Sequence, residues 1–142
     1  MITSALISPV LFVRWQQACE VSDVDRITRA IEMASRDVGP DLVYIASIPE
    51  KVPPPDTDTR AALRAGTEHA NAHCASIHLV IEGHGLRRAI IRSVSAGLLL
   101  ATRASFSIHT EVLDALEAAS QRVPMNVARV RAAARSAGMV AA

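Results

Sequence analysis

Stretches with the apolar pattern of strands alternate along this chain with stretches that have the apolar spacing of helices. Continuous or alternating apolar runs predict four strands, at residues 10–13 (extended by Arg14 and Trp15), 42–46, 77–81 and 106–109. Apolar residues at helical spacing predict helices at residues 22–38, from Asp56 or Thr57 to about 73, 86–102, 110–119 and 127–137. Ser22 and Thr110 are the predicted N-caps of the first and fourth of these helices. The predicted order is therefore βαβαβαβα, followed by one extra helix.

This order predicts an α/β fold: one four-stranded, mainly parallel sheet with helices packed on it. The 142 residues suit a single domain, with a core at about residues 8–120 and a helical extension over residues 121–142. The pattern leaves open whether the first strand joins the sheet at an edge or in the middle.

The charge balance excludes some classes of partner. Fifteen basic residues face fourteen acidic residues, which is neither the basic footprint of a nucleic-acid-binding domain nor a polybasic membrane anchor. The longest apolar stretch, residues 94–101, is shorter than the roughly 20 residues that span a bilayer. We therefore expect a soluble protein with no nucleic-acid partner and no integral membrane segment.

Cysteine usage indicates the compartment. Cys19 and Cys74 lack metal-ligand spacing, and the first residues lack the pattern of a secretory signal. Unpaired thiols are normal in the reducing cytoplasm, so we expect a cytoplasmic protein. A disulfide between the two cysteines is the open alternative.

A glycine pair after the third predicted strand is a candidate for anion binding. Residues 82–85 read Glu-Gly-His-Gly, which lacks the third glycine of a dinucleotide fingerprint and favours a simple tight turn. His84, Gly85, Arg87 and Arg88 could hold an anion at the start of the following helix. The favoured alternative is a solvated helix face.

Patterns for catalysis and metal binding are incomplete. His69 and His73 share a helix face, but no third ligand is evident, so no metal is predicted. There is no GxSxG motif and no cysteine in a catalytic context. Asp56 and Asp58 are typical of a helix cap with solvated charge. The sequence thus predicts no catalytic residue and no cofactor.

The overall pattern resembles the anti-sigma-factor-antagonist (STAS) domain family, in its SpoIIAA-like branch. Four stretches carry the resemblance: residues 10–15 with 21–25, residues 42–46, residues 77–83 with 86–88, and residues 106–109 with 112–118. The resemblance implies a mostly non-enzymatic, bacterial type of protein that binds partner proteins, some members also binding small apolar or nucleotide ligands. In phosphoregulated members a Ser or Thr begins the helix after the second of these strands. Thr57 and Thr59 occupy that place here, although the family's Asp-Ser-Ser/Thr-Gly turn is absent and Thr57 can also serve as a helix cap.

We therefore predict a regulatory or scaffolding module that binds another protein through the proline-rich loop at residues 49–58. The predicted contact residues are Pro53, Pro54, Pro55, Asp56, Thr57 and Thr59. Proline holds such a loop extended, so little entropy is lost when a partner docks. The loop could instead merely bridge a strand and a helix. The alternative function is a small-ligand (nucleotide, anion or lipid) binding protein, or a small α/β enzyme that uses the turn at residues 82–88.

Self-association is the last expectation. The helix at residues 86–102 is apolar on nearly all sides towards its end, at Val94, Leu98, Leu99 and Leu100. Such a helix is either buried within the monomer or covered by a second copy in a homodimer.

Overall fold

The structure, a computed structural model, describes residues 1–101 and 106–141, without the side chains of Arg87, Leu99, Leu100 and Ala101. Its strands are β1 (Ile2–Ile7), β2 (Val10–Trp15), β3 (Val43–Ile48), β4 (Ser76–Ile81) and β5 (Ser107–His109). Its helices are α1 (Val21–Val38), α2 (Thr57–His73), α3 (Leu86–Ala101), α4 (Val112–Ser120) and α5 (Val127–Ser136).

The described strands form one mixed sheet in the order β1-β2-β3-β4-β5. The strands β2 to β5 run parallel, and β1 pairs with β2 antiparallel. The α/β class is confirmed, but the predicted number of four strands is wrong. The sequence signal for β1 is weak because it is an edge strand in which Thr3, Ser4 and Ala5 dilute the apolar alternation.

The helices form two layers, one on each face of the sheet. Each crossover from β2 to β5 advances one strand in the same direction, so right-handed connections place α1, α2 and α3 on one face. Leu11 and Val13 of β2 join the cluster beneath these helices, which includes Ile31. The alternate residue Phe12 points to the opposite face and packs with Leu116 of α4.

Local capping agrees with the sequence at α2 and departs from it at α1 and α4. Asp56 caps α2 by accepting the backbone N–H of Thr59 at 2.8 Å. The helix α1 begins after Glu20 instead of the predicted Ser22, and α4 begins after Glu111 instead of Thr110. In both places the helix begins one or two residues away from the position that the predicted serine or threonine cap implies.

The last helix is held against the body of the domain. Val130 and Ala134 of α5 are fully buried with the residues of α4. Asn126 caps α5 by accepting the backbone N–H of Arg129 at 3.0 Å. The predicted extension is therefore part of the core.

Both cysteines are free thiols, Cys19 buried and Cys74 partly buried. Burial raises the pKa of each to about 12, so both stay protonated at neutral pH. Over the described residues no helix has the length and apolar character needed to cross a membrane.

Candidate functional site

The strands β2, β3 and β4 end at one edge of the sheet, named here the carboxyl edge. It comprises Arg14, residues 47–57, residues 82–85 and residues 110–111. Parallel strands bring the loops that follow them together, and ligand and partner sites in α/β proteins concentrate there.

A partly buried charge network lies at this edge on the side of α4 and α5. Arg14 donates two parallel hydrogen bonds to the Glu82 carboxylate, at 2.9 and 3.0 Å. Arg14 also donates to the hydroxyl of Ser47 at 2.8 Å, and Ser47 is fully buried. A bidentate Arg–carboxylate pair is strong and geometrically specific. The network therefore ties the ends of three neighbouring strands into a rigid base.

The loop at residues 49–56 is anchored in the protein at two points. Val52 is fully buried, and its backbone N–H donates to the carbonyl of Pro49 at 3.1 Å. Pro55 is buried, and its carbonyl accepts the Arg60 side chain at 3.0 Å. Pro53 is exposed and Pro54 half-exposed between these anchors. The loop thus offers its middle to solvent and keeps its ends in the protein.

The two candidate threonines at the start of α2 differ in their exposure. Thr57 is exposed, whereas Thr59 is 2 % exposed and faces the core. Asp56 is exposed, and the hydrogen bond from the Thr59 backbone holds its carboxyl pKa below the usual range. Of the predicted contact residues, the surface therefore presents Pro53, Pro54, Asp56 and Thr57, but not Pro55 or Thr59.

The turn after β4 lies directly against this loop. Gly83 and Gly85 have φ of 85° and 90°, a backbone region that favours glycine. The Glu50 carboxylate accepts the backbone N–H of His84 at 3.3 Å. A Cβ on Gly83 would collide with the side chain of Glu50. The proline-rich loop and the glycine turn therefore form one continuous surface.

The structure describes only part of the predicted anion cluster. His84 is exposed, but Arg88 points towards the body, donating to the carbonyl of Ile81 at 3.3 Å and to the hydroxyl of Thr110 at 2.6 Å. The side chain of Arg87 lies outside the described part of the chain. Arg88 therefore connects the start of α3 to the end of β5.

A polar cleft of about 340 Å³ opens beside this turn. Glu82, His84 and Glu111 line it together with Arg131 and Arg135 of α5. The Nε of Arg131 is buried and has no hydrogen-bond partner among the described residues. Neither arginine was predicted as a site residue, although their i, i+4 spacing in the last helix places them on one face.

Two histidines that lacked a sequence motif meet on the α4 face of the sheet. His78 Nδ1 lies 3.0 Å from His109 Nε2, and His78 Nε2 lies 3.1 Å from the hydroxyl of Ser76. Burial lowers the pKa of His78 to about 4, and burial also lowers the pKa of His109. Both rings are therefore neutral at pH 7 and bond to each other.

The pair His69 and His73 on α2 is stacked, with ring centroids 4.4 Å apart. His69 Nε2 lies 3.4 Å from Glu32 of α1 without forming a hydrogen bond. Among the described residues, no group of three or more His, Cys, Asp or Glu is placed to hold a metal ion.

Comparisons with family models, with curated proteins and with solved structures find no match to this chain. The function must therefore be argued from the carboxyl edge itself.

Proposed function

We propose that this protein is a non-enzymatic regulatory or scaffolding module that binds a partner protein through its carboxyl edge. The observation that carries the proposal is the contact of Glu50 with Gly83 and His84. Because of this contact, the proline-rich loop and the glycine turn, which the sequence indicated as separate sites, form one surface.

The rigidity of this surface supports binding. Buried Val52 and Pro55 anchor the loop, and the network of Arg14, Ser47 and Glu82 joins the ends of the strands from which the loop and the turn begin. A loop that is already ordered loses little conformational entropy on docking. Its exposed groups, which include Pro53 and Thr57, stand on a rigid sheet, where function is commonly placed.

The polar cleft beside the turn gives such a partner an anchoring point. Interfaces draw most of their energy from a few side chains that fill pockets near the centre. A partner that covers Thr57 and His84 can insert one side chain between Glu111 and Arg131. The mixed charge of the cleft favours a polar group that both donates and accepts hydrogen bonds.

The chemistry of the titratable groups favours binding over catalysis. The Glu82 carboxylate is occupied by Arg14, Ser47 and the backbone N–H of Ala141. His78 and His109 are occupied by each other. A general acid or base must reach a proton of the substrate, whereas these groups are engaged in hydrogen bonds within the protein.

Affinity capture from the native host, followed by mass spectrometry and titration of the captured protein, tests this proposal. The edge variant truncates three exposed side chains: Pro53→Ala, Thr57→Ala and His84→Ala. We expect it to lose at least tenfold in affinity for the captured partner, because hot-spot truncation costs more than about 1.4 kcal/mol.

The matched control truncates three exposed side chains at the opposite edge of the sheet, Arg36→Ala, Asp37→Ala and Gln121→Ala. It should bind the partner as the wild type does. Equal binding by both triple variants would show that the carboxyl edge is not the interface. Repeated captures that return no partner, while a metabolite co-purifies, would favour the small-ligand alternative.

A further inference from the structure

The polar cleft beside the glycine turn has room for a whole side chain. Its volume of about 340 Å³ is roughly twice that of an engineered cavity that holds benzene. The turn after β4, the first turn of α4 and the helix α5 enclose it, contributing among others His84, Glu111 and Arg131. Pockets of this size beyond the carboxyl ends of parallel strands commonly bind ligands. Which ligand fits depends on the lining groups that are still unpaired.

One of the two acidic side chains in the lining is already compensated. The Glu82 carboxylate accepts two hydrogen bonds from Arg14, at 2.9 and 3.0 Å. It also accepts the hydroxyl of Ser47 at 3.3 Å and the backbone N–H of Ala141 at 3.2 Å. The charge and the lone pairs of Glu82 are therefore used within the protein. Glu111, in contrast, makes no hydrogen bond or ion pair through its side chain among the described residues.

Two arginines of α5 line the cleft without a partner. Neither Arg131 nor Arg135 makes a hydrogen bond or an ion pair through its side chain among the described residues. Arg131 is partly buried: its Nε is covered by protein atoms, whereas its two terminal nitrogens keep accessible surface. A cation that is partly withdrawn from water is normally paired with an anion, because losing hydration without a partner costs free energy. The two arginines therefore leave two positive charges uncompensated.

Neutral donors add to this excess of positive charge. The hydroxyl of Thr110 lines the cleft and accepts Arg88 at 2.6 Å, so its own proton is left to donate. The first turn of α4 follows, and no side chain caps the backbone N–H groups of Val112 and Leu113 there. With His84 counted as neutral, the uncompensated charge of the described lining is one positive unit.

We propose that this cleft binds an acidic residue of the partner protein, with its carboxylate on Arg131 and Arg135 and a neighbouring backbone N–H on Glu111. A carboxylate carries the single negative charge that balances the cleft, and it fits the planar fork of an arginine. A phosphate group carries nearly two negative charges and would exceed that balance. The source of the carboxylate, a partner protein, rests on the proposed function, whereas the selectivity of the cleft does not.

NMR titration of the full chain at low ionic strength tests the cleft with three probes: N-acetylaspartate methylamide, its neutral asparagine analogue and inorganic phosphate. We expect the aspartate probe to shift the amide resonances of Val112 and Leu113 saturably, and to leave Arg36 and Asp37 at the opposite edge unshifted. The asparagine probe should bind at least about tenfold more weakly, since it loses the charge-assisted hydrogen bonds. Phosphate should also bind more weakly than the aspartate probe.

Three outcomes of this titration overturn the proposal. One is the absence of saturable shifts with the aspartate probe, and another is equal binding of the aspartate and asparagine probes. The third is tighter binding of phosphate than of aspartate, which would assign the cleft to a phosphate group.

Two double variants with the same loss of charge separate the cleft from general electrostatic attraction. Arg131→Gln with Arg135→Gln should weaken the aspartate probe at least about tenfold. Arg36→Gln with Arg64→Gln, at two exposed positions that do not line the cleft, should leave its affinity unchanged. Arg135→Gln alone serves as the cleft variant if the double variant fails to fold. An equal loss of affinity in the cleft and control variants contradicts the site.

Glu111→Gln tests the charge balance. It removes the one uncompensated negative charge of the described lining and keeps a hydrogen-bond acceptor. Both anions should bind more tightly to this variant, and phosphate should gain more than the aspartate probe. Unchanged affinities for both would contradict the assigned place of Glu111 in the site.

A captured partner separates this proposal from the proposed function. The cleft double variant should then lose at least about tenfold in affinity for the partner, as the edge variant does. If the edge variant loses binding and the cleft variant does not, the carboxyl edge is the interface but an acidic residue is not its anchor. If the aspartate probe binds but no partner is captured, the protein source of the carboxylate is contradicted and the cleft's selectivity is not.

Discussion

At the scale of single residues, the side chain of His78 is held within the sheet through its whole ring. It is buried, and both ring nitrogens have partners, on His109 and on Ser76. Nearby Arg122 further disfavours a positive charge on His78, whereas Asp114 favours one on His109. Since burial outweighs the effect of Asp114, both rings are neutral in the folded protein at pH 7.

We predict that this pair makes the protein less stable in mild acid. The unfolded chain takes up a proton on His78 near the ordinary pKa of 6.5, but the folded chain does so only near a pKa of about 4. Stability is therefore complete above pH 6.5 and is lost as the pH falls towards 4, by an amount on the order of 2 kcal/mol. Urea unfolding between pH 7 and pH 4 measures this loss.

His78→Gln removes the titrating ring, so its stability should fall less steeply over that pH range. His84→Gln, which changes an exposed ring, should follow the wild type. If the profiles of wild type and His78→Gln are parallel, the buried pair is not the source of the pH dependence.

At the scale of elements, the turn between β4 and α3 depends on glycine. Gly83 combines a positive φ with direct contact to the side chain of Glu50. Gly97, within α3, has neither constraint: a Cβ there meets no atom of the described residues within 4 Å. The same substitution therefore has opposite consequences at these two positions.

Gly83→Ala should destabilise the protein by about 1–3 kcal/mol, since it combines left-handed backbone strain with a steric clash. Gly97→Ala should stabilise it by about 0.5–1 kcal/mol, because alanine favours a helix interior. Chemical denaturation of the two variants beside the wild type gives both values. A Gly83→Ala variant as stable as Gly97→Ala would mean that the turn is not held against Glu50.

At the scale of the whole molecule, α3 determines the assembly that we predict. Val94 and Leu98 line an apolar cavity beside Trp15, whereas Leu86 and Ile90 are 77 % and 39 % exposed one turn apart. The side chains of Leu99 and Leu100, which also suggested a dimer, lie outside the described part of the chain. The predicted dimer therefore rests on the exposed side chains of Leu86 and Ile90.

Light scattering at micromolar concentration should give twice the mass of one chain. Leu86→Arg with Ile90→Arg should return the protein to a monomer, because buried charges on this face would be unpaired. Met33→Arg, on exposed α1, should leave the dimer intact. A strictly monomeric wild type would contradict the dimer.

The candidate site was only partly predictable, because its residues are distant in sequence. The loop, the cap at Asp56 and the glycine turn carry local signals in proline, aspartate and glycine. The burial of Thr59 and the inward direction of Arg88 depend on neighbours from other elements. The pairing of Arg14 with Glu82 joins positions 68 residues apart, for which no local pattern exists.

The sequence by itself determined the helices and four of the strands in their order along the chain, since hydrophobic periodicity and turn residues act over a few positions. Only the tertiary structure decided the place of β1, the pairing of His78 with His109 and the apolar cavity beside Trp15. An edge strand is specified by its partner strand, and a cavity by which small residues face each other across two layers. Those relations exist only once the chain has folded.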